Sequence, residues 1–263
     1  MDLGITNKVA LVTASSQGIG KAVAQELAQE GAQVILSSRS QAKLERAQKE
    51  IKEKTGKSCH FFPCNLGNRE DIQKLVGYIN RKFSGVDILV INSGGPPPGD
   101  LSSLSEEDWY RSFDSLLMST IRLTKAFLPQ METKNWGRVV YLTSTSIKEP
   151  IDNLLLSNVL RSGVNALSKS LSRAYAHRNI LFNVVCPGSI ATDRAIQLLE
   201  EKATRSGQPL TTIKQEAEEV IPLKRYGRPE EVAALVSFLC SNQATYLTGT
   251  AIGVDGGAVR FVF

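Results

Sequence analysis

The sequence predicts an α/β fold: a doubly wound, seven-stranded parallel sheet with helices on both faces, forming a single domain over residues 1–263. Three observations carry this expectation. Short β-rich apolar runs alternate with longer amphipathic stretches, the pattern of repeated strand–helix–strand crossovers. A glycine-punctuated turn, ending Gln17-Gly18-Ile19-Gly20, separates the first apolar run from the first amphipathic stretch. The chain has 263 residues, 42% hydrophobic and 22% charged, so it can bury a large core without disulfides or metals.

The first run, 8–13, has strand length and ends on that turn; 18–29 follows with helical periodicity. Further strands are expected at 33–38, 59–62, 87–92, 138–143, 180–186 and 251–254. Further helices are expected at 41–54, 69–83, 106–131, 153–177 and 229–239. One stretch breaks the rhythm: 193–221 has two short helical patterns around Gly207-Gln208-Pro209 and no strand. Because it follows the sixth strand at the edge where such sheets bind ligands, it reads as a lid over a substrate.

Composition excludes several classes. No run of about 18 apolar residues exists, so no helix is expected to span a membrane. The first 17 residues lack a signal-peptide layout, which points to the cytoplasm. The cysteines, at 59, 64, 186 and 240, form no CxxC pair. Cys59, His60 and Cys64 lie close together without further ligands, so buried thiols and no metal are expected. The net charge is +5, yet seven basic and three acidic residues between 39 and 57 account for +4 of it. No aromatic residues interleave there, so a solvated helix face is expected and no nucleic acid.

The glycine turn is suited to a dinucleotide. Gly18 and Gly20 let the backbone approach a pyrophosphate, and the following helix offers free N–H groups and its positive dipole end. The second strand ends Ser37-Ser38-Arg39-Ser40, with no carboxylate for a ribose 2′-hydroxyl. A guanidinium flanked by hydroxyls suits a 2′-phosphate instead, so NADP(H) is expected ahead of NAD(H).

Taken together, these segments resemble the short-chain dehydrogenase/reductase superfamily, of Rossmann-like fold, over nearly the whole chain. The run Thr13-Ala14-Ser15-Ser16-Gln17-Gly18-Ile19-Gly20 is similar to its TGxxxGIG, with Ala14 where the first glycine belongs. Asn65-Leu66 is similar to the Asp-hydrophobic pair beside the adenine, and Asn92-Ser93-Gly94-Gly95 to the NNAG segment. Pro187-Gly188-Ser189-Ile190-Ala191-Thr192 is similar to the PGxxxT segment over the nicotinamide. The tail from Ile221 to Gly257 is similar to 3-oxoacyl-[acyl-carrier-protein] reductases. The resemblance thus implies cofactor contacts from 13, 15–20, 38, 39, 65, 66, 92–94, 187, 188, 190 and 192.

It also implies an Asn-Ser-Tyr-Lys tetrad, and there this sequence departs from the family. Ser144 falls on the serine, but Ser157 stands at the tyrosine, Arg161 at the lysine and Leu116 at the asparagine. A serine hydroxyl is not an acid or base near neutral pH without a partner, and its oxygen lies about 4 Å nearer the backbone than a tyrosine's. Arg161, one turn on, still suits ribose hydroxyls or an anion but not proton transfer. Lys148, past Ser144 at the ligand edge, is a candidate acid or anion clamp set against a solvated loop lysine. Tyr141 is expected to pack against the sheet.

Three functions follow from this balance. The first is an NADP(H)-dependent oxidoreductase reducing a small carbonyl or acyl substrate with a non-standard proton donor. The second is a dinucleotide-binding homologue without turnover. The third is non-redox chemistry; halohydrin dehalogenases look similar in exchanging the lysine for arginine but keep the tyrosine. The resemblance also implies a homodimer or homotetramer. Independently, the apolar tail Phe261-Val262-Phe263 is expected to pack at a subunit interface or over a neighbouring site, because apolar residues favour burial.

Overall fold

A computed structural model describes residues 2–262. Strands β1 (Val9–Thr13), β2 (Gln33–Ser38), β3 (His60–Pro63), β4 (Ile88–Ile91), β5 (Gly137–Leu142), β6 (Ile180–Pro187) and β7 (Ala251–Val254) form one parallel sheet in the order 3-2-1-4-5-6-7. The helices are α1 (Gly18–Gln29), α2 (Gln41–Thr55), α3 (Arg69–Phe83), α4 (Glu106–Ser112), α5 (Ser119–Lys134), α6 (Leu155–Tyr175), α7 (Asp193–Ser206), α8 (Leu210–Glu219) and α9 (Pro229–Leu239).

Strand alternation divides the core into two layers. Ala10, Val12, Ile88 and Val90 face one side, against Val23 and Leu27 of α1, Leu44 of α2 and Val236 of α9. Leu11, Leu89 and Ile91 face the other, against Leu75 of α3, Phe127 of α5 and Val164 of α6. Strand order reverses between β1 and β4, whose register aligns Ala10 with Ile88. The carboxyl ends of these two strands therefore flank the crevice where such sheets take their ligands.

The seven strands and five of the six helices expected from the periodicity recur within a residue or two, the strands at 33–38 and 251–254 in full. The helix expected at 106–131 is instead two helices separated by a π-helical turn, Phe113–Met118. Hydroxyls explain the break: Ser119 Oγ donates to the Ser115 carbonyl at 2.7 Å and Thr120 Oγ1 to that of Leu116 at 2.7 Å. Such back-bonding competes with the backbone ladder, and the apolar periodicity survives it, so the pattern alone does not reveal it.

Candidate functional site

The turn after β1 is held by its own hydroxyls. Thr13 Oγ1 donates to the Asn92 carbonyl at 2.6 Å and accepts from the Asn92 N–H at 2.9 Å, tying β1 to the end of β4. Ser15 Oγ donates to the Val12 carbonyl at 2.7 Å and accepts from Ser37 N–H at 3.0 Å, tying the turn to β2. Both side chains are fully buried, so they position the turn and present nothing to a ligand. Asn92 Nδ2 in turn donates to the Ala14 carbonyl at 3.4 Å.

Two backbone features make this turn a cradle. Ala14 has φ +46°, the left-handed region where the family places glycine, so its Cβ carries strain. At Gly20 a Cβ would collide with the Ala14 carbonyl oxygen, so helix and turn approach closely only because that atom is missing. Gly18, at φ +56°, faces Thr192 across the crevice; a Cβ there would stand 3.2 Å from Thr192 Cγ2. Gln17 precedes α1 without capping it, and no acidic residue occupies its first turn, so its N–H groups stay open to an anion. Ile19 packs on the core below, while Ser16 is half-exposed above it.

At the end of β2 the hydroxyls of Ser37 and Ser38 are buried and, among the described residues, have no hydrogen-bond partner. Beside them Arg39 is exposed, and among the described residues it has no carboxylate partner. Lys43 Nζ reaches back from α2 to Gln17 Oε1 at 3.2 Å, adding a second cation to the turn. In the sequence Lys43 is one of several lysines and arginines on a basic helix face, and only the fold turns it toward Gln17. Orphaned hydroxyls next to an unpaired guanidinium and an uncapped helix start are the complement of a phosphorylated ribose and a pyrophosphate, so these residues fit a dinucleotide.

Around the rest of the crevice, Asn65 Oδ1 accepts the Gly67 N–H at 3.2 Å and Leu66 packs on the core. Ser93 is half-buried, and a Cβ at Gly94 would meet open space. Pro187 ends β6, Gly188 lies against Asp255 where a Cβ would come within 2.8 Å of its Cβ, and Ile190 is buried. Thr192 Oγ1 accepts the Ala195 N–H at 3.2 Å and caps α7.

The α6 side of the crevice is built differently. Ser157 is buried and its hydroxyl pairs with Ser146 Oγ at 3.2 Å. Ser144 Oγ accepts the Ser146 N–H at 3.1 Å and starts the short turn Thr145–Ile147. Arg161 Nη1 donates to the carbonyls of Leu142 at 3.2 Å and Thr143 at 3.1 Å, clamping α6 to the end of β5. Burial pushes this guanidinium down to about 10. Leu116, in the π-helical turn, packs with Leu156 and Leu160. A narrow cavity of about 10 Å³, room for one water, remains between Ser93, Leu116, Thr143 and Arg161. The three exchanged tetrad positions thus lie together, and Ser157 and Arg161 bond to the protein itself.

Tyr141 is buried and pairs with Thr124 Oγ1 at 2.9 Å; burial pushes its phenol well up, as the packing expectation requires. Lys148 is half-buried at the ligand edge, close enough to Cys186 to lower its thiol's affinity for a proton, although burial raises that thiol overall. The four cysteines are free and buried. Helices α7 and α8 occupy 193–219 and pack on each other. Asp255 Oδ2 and Glu149 Oε2 accept the N–H groups of Val259 and Arg260, laying the tail beside the β5–α6 connection. Phe261 and Val262 are exposed, and Phe263 lies outside the described residues. Among the described residues no helix is long and apolar enough to cross a membrane.

A doubly wound sheet with a dinucleotide cradle at its switch point defines the class: a nucleotide-binding α/β protein of Rossmann-like fold. Residues 13–259 match the family model described as Enoyl-(Acyl carrier protein) reductase. Dehydrogenase/reductase SDR family member 4 of Bos taurus is 38% identical over 256 residues, covering 97% of this chain and 88% of that protein. The 3-oxoacyl-[acyl-carrier-protein] reductase of Aquifex aeolicus is 37% identical over 257 residues, covering 98% and 99%. L-sorbose reductase from Gluconobacter frateurii, complexed with NADPH and L-sorbose, superimposes with a TM-score of 0.95 at 32% identity over 100% of both chains. The chain belongs to the short-chain dehydrogenase/reductase family of oxidoreductases.

Proposed function

We propose that this protein is an NADP(H)-dependent reductase of a small carbonyl or acyl compound, 3-oxoacyl thioesters among them. The observation that carries the reading is the end of β2, where buried, unpartnered Ser37 and Ser38 hydroxyls stand beside the exposed, unpaired Arg39. NADP(H), once bound, supplies hydride. The chain's own residues do the rest: Arg39 and Lys43 neutralise phosphate, the N–H groups of α1 hold the pyrophosphate, and Thr192 opposite Gly18 closes the crevice. Ser144 and Lys148, at the carboxyl edge, face the substrate, and the 193–221 lid excludes water over it. In this reading Ser157 and Arg161 shape the floor and orient Ser144 through Ser146. Exposed Tyr110, Phe113 and Val159 suit burial in a homodimer or homotetramer. The four free thiols suit the reducing cytoplasm.

One observation favours a second reading, a nucleotide-binding homologue without turnover. The family's acid–base face on α6 is closed by the Ser157–Ser146 pair, the Arg161 clamp and the Leu116 cluster. Titration with NADPH followed by a ketone and aldehyde panel separates the two. The reductase reading requires tight NADPH binding and substrate-dependent oxidation; binding with no oxidation across the panel supports the second.

A further inference from the structure

We propose that Glu149 is a positioning residue that straps the tail, 256–262, across the substrate side of the crevice, so that the tail forms one wall of the substrate site. This rests on the reductase reading above. In the sheet β7 neighbours β6 and β6 neighbours β5, all parallel, so their carboxyl ends lie side by side. The tail leaves the carboxyl end of β7 at Asp255, yet the Arg260 N–H donates to Glu149 Oε2 at 3.0 Å, in the connection that follows β5. Between these two points the tail crosses the end of β6, a span of about 10 Å or two strand spacings. This is the edge where a doubly wound sheet takes its ligands.

Hydrogen bonds fix the crossing along its length. Asp255 Oδ1 accepts the Gly257 N–H at 3.1 Å and Oδ2 that of Val259 at 2.8 Å. The Gly188 N–H donates to the Val254 carbonyl at 3.0 Å, and a Cβ at Gly188 would come within 2.8 Å of Asp255 Cβ. The root of the tail is thus pressed onto the segment that leads to Thr192 and the cofactor cradle. Gly256 and Gly257, at φ +65° and +83°, turn the chain, and the Leu223 N–H donates to the Gly256 carbonyl at 3.2 Å. A Cβ on Gly256 would stand 2.9 Å from Ile221 Cγ2, so the tail also meets the end of the lid. Glu149 itself shares one turn with Ser144 and Lys148: the Lys148 and Glu149 N–H groups both donate to the Thr145 carbonyl, at 2.9 and 3.1 Å. Ile151, two residues past Glu149, and Phe261 and Val262, just past Arg260, are exposed. The wall held by this bond is therefore apolar and suits the alkyl part of a carbonyl compound.

Three variants test this. Glu149→Ala removes the acceptor, Glu149→Gln keeps an oxygen acceptor without the charge, and Arg260→Pro removes the donor. With NADPH and ethyl acetoacetate, Glu149→Ala and Arg260→Pro are each expected to raise KM about fivefold, the size of one exposed hydrogen bond. In both, kcat should change by less than about twofold and NADPH affinity should hold, because only substrate binding is touched. The two changes combined should do no more than either alone, since they cut the same bond. Glu149→Gln should restore most of the KM. Amide exchange over 256–260 in the NADP⁺-loaded protein should quicken in Glu149→Ala and not in Glu149→Gln. An unchanged KM, a loss of kcat in its place, additive effects, or a glutamine no better than alanine overturns the proposal. If the wild-type protein binds NADPH but leaves ethyl acetoacetate unreduced, the reductase reading loses support, and the Kd of ethyl acetoacetate for the NADP⁺-loaded protein decides the role of Glu149. A rise of about fivefold in Glu149→Ala sustains it, and no change overturns it.

Discussion

Arg39→Ala isolates the 2′-phosphate from the rest of the dinucleotide. Arg39 is exposed, and among the described residues no carboxylate neutralises it, so its charge is available to a ligand without first breaking an ion pair. A hydrogen bond to a charged group contributes about 1.5–3 kcal/mol, which is about 10- to 150-fold in Kd. Exposure places the effect at the lower end, because salt screens surface charges within about 8 Å at physiological ionic strength. The expected loss in NADPH affinity is therefore about tenfold at physiological salt and larger in dilute buffer. NADH has no phosphate there, so its affinity should not move, and the preference for NADPH should shrink by the same factor. Calorimetric titration of both cofactors at two salt concentrations reads this directly. Equal losses for NADPH and NADH, or none, would refute the assignment of Arg39 to the phosphate.

Other consequences can be measured alongside. Ala14→Gly removes a left-handed strain of about 1–2 kcal/mol and returns about 0.5–1 kcal/mol as chain entropy. The net gain of about 0.5–1 kcal/mol should raise Tm by a few degrees in thermal melts. Arg161→Lys cannot span both strand-end carbonyls and should cost about 2 kcal/mol, lowering Tm by about 4–8 °C; an unchanged Tm would contradict the clamp. Arg225 and the Arg228 N–H hold the Glu231 carboxyl at about 2, below its ordinary 4.5. A depressed carboxyl contributes stability above its unfolded value and loses it as pH falls through the folded one. Wild type should therefore be more stable than Glu231→Gln at pH 6 and converge with it near pH 2 in acid titrations.

Much of the fold was legible because each layer of a doubly wound sheet leaves its own period in the chain. Runs such as Leu89-Val90-Ile91 are apolar at every position because both faces are covered, and α1, α3 and α9 carry one apolar stripe each. The glycine turn was legible because only a missing Cβ permits the approach of Gly20 to Ala14. What escaped was decided by side chains reaching across the fold. Ser115, Ser119 and Thr120 open a π-helical turn inside a continuous helical pattern. Thr13 and Ser15 fall on cofactor positions by family resemblance, yet their hydroxyls are spent on Asn92, Val12 and Ser37. Spacing placed Arg161 beside Ser157 on one helix face, but its grip on Leu142 and Thr143 depends on how α6 meets β5. The loop before α9 meets the segment after β6 from 37 positions away along the chain, Ile190 bridging Gly227 in a short parallel pair that no local pattern announces.

The central claim, that a chain without the family's tyrosine and lysine on α6 still reduces carbonyls, is tested most directly by deuteride transfer. The protein is incubated with 4-deuterated NADPH and a panel of ketones, aldehydes and 3-oxoesters, and the alcohols are analysed by mass spectrometry, which detects even a few turnovers. The account predicts deuterium on the carbinol carbon of at least one product, absent when NADPH is omitted. Tight NADPH binding with no labelled alcohol from any member of the panel would contradict it.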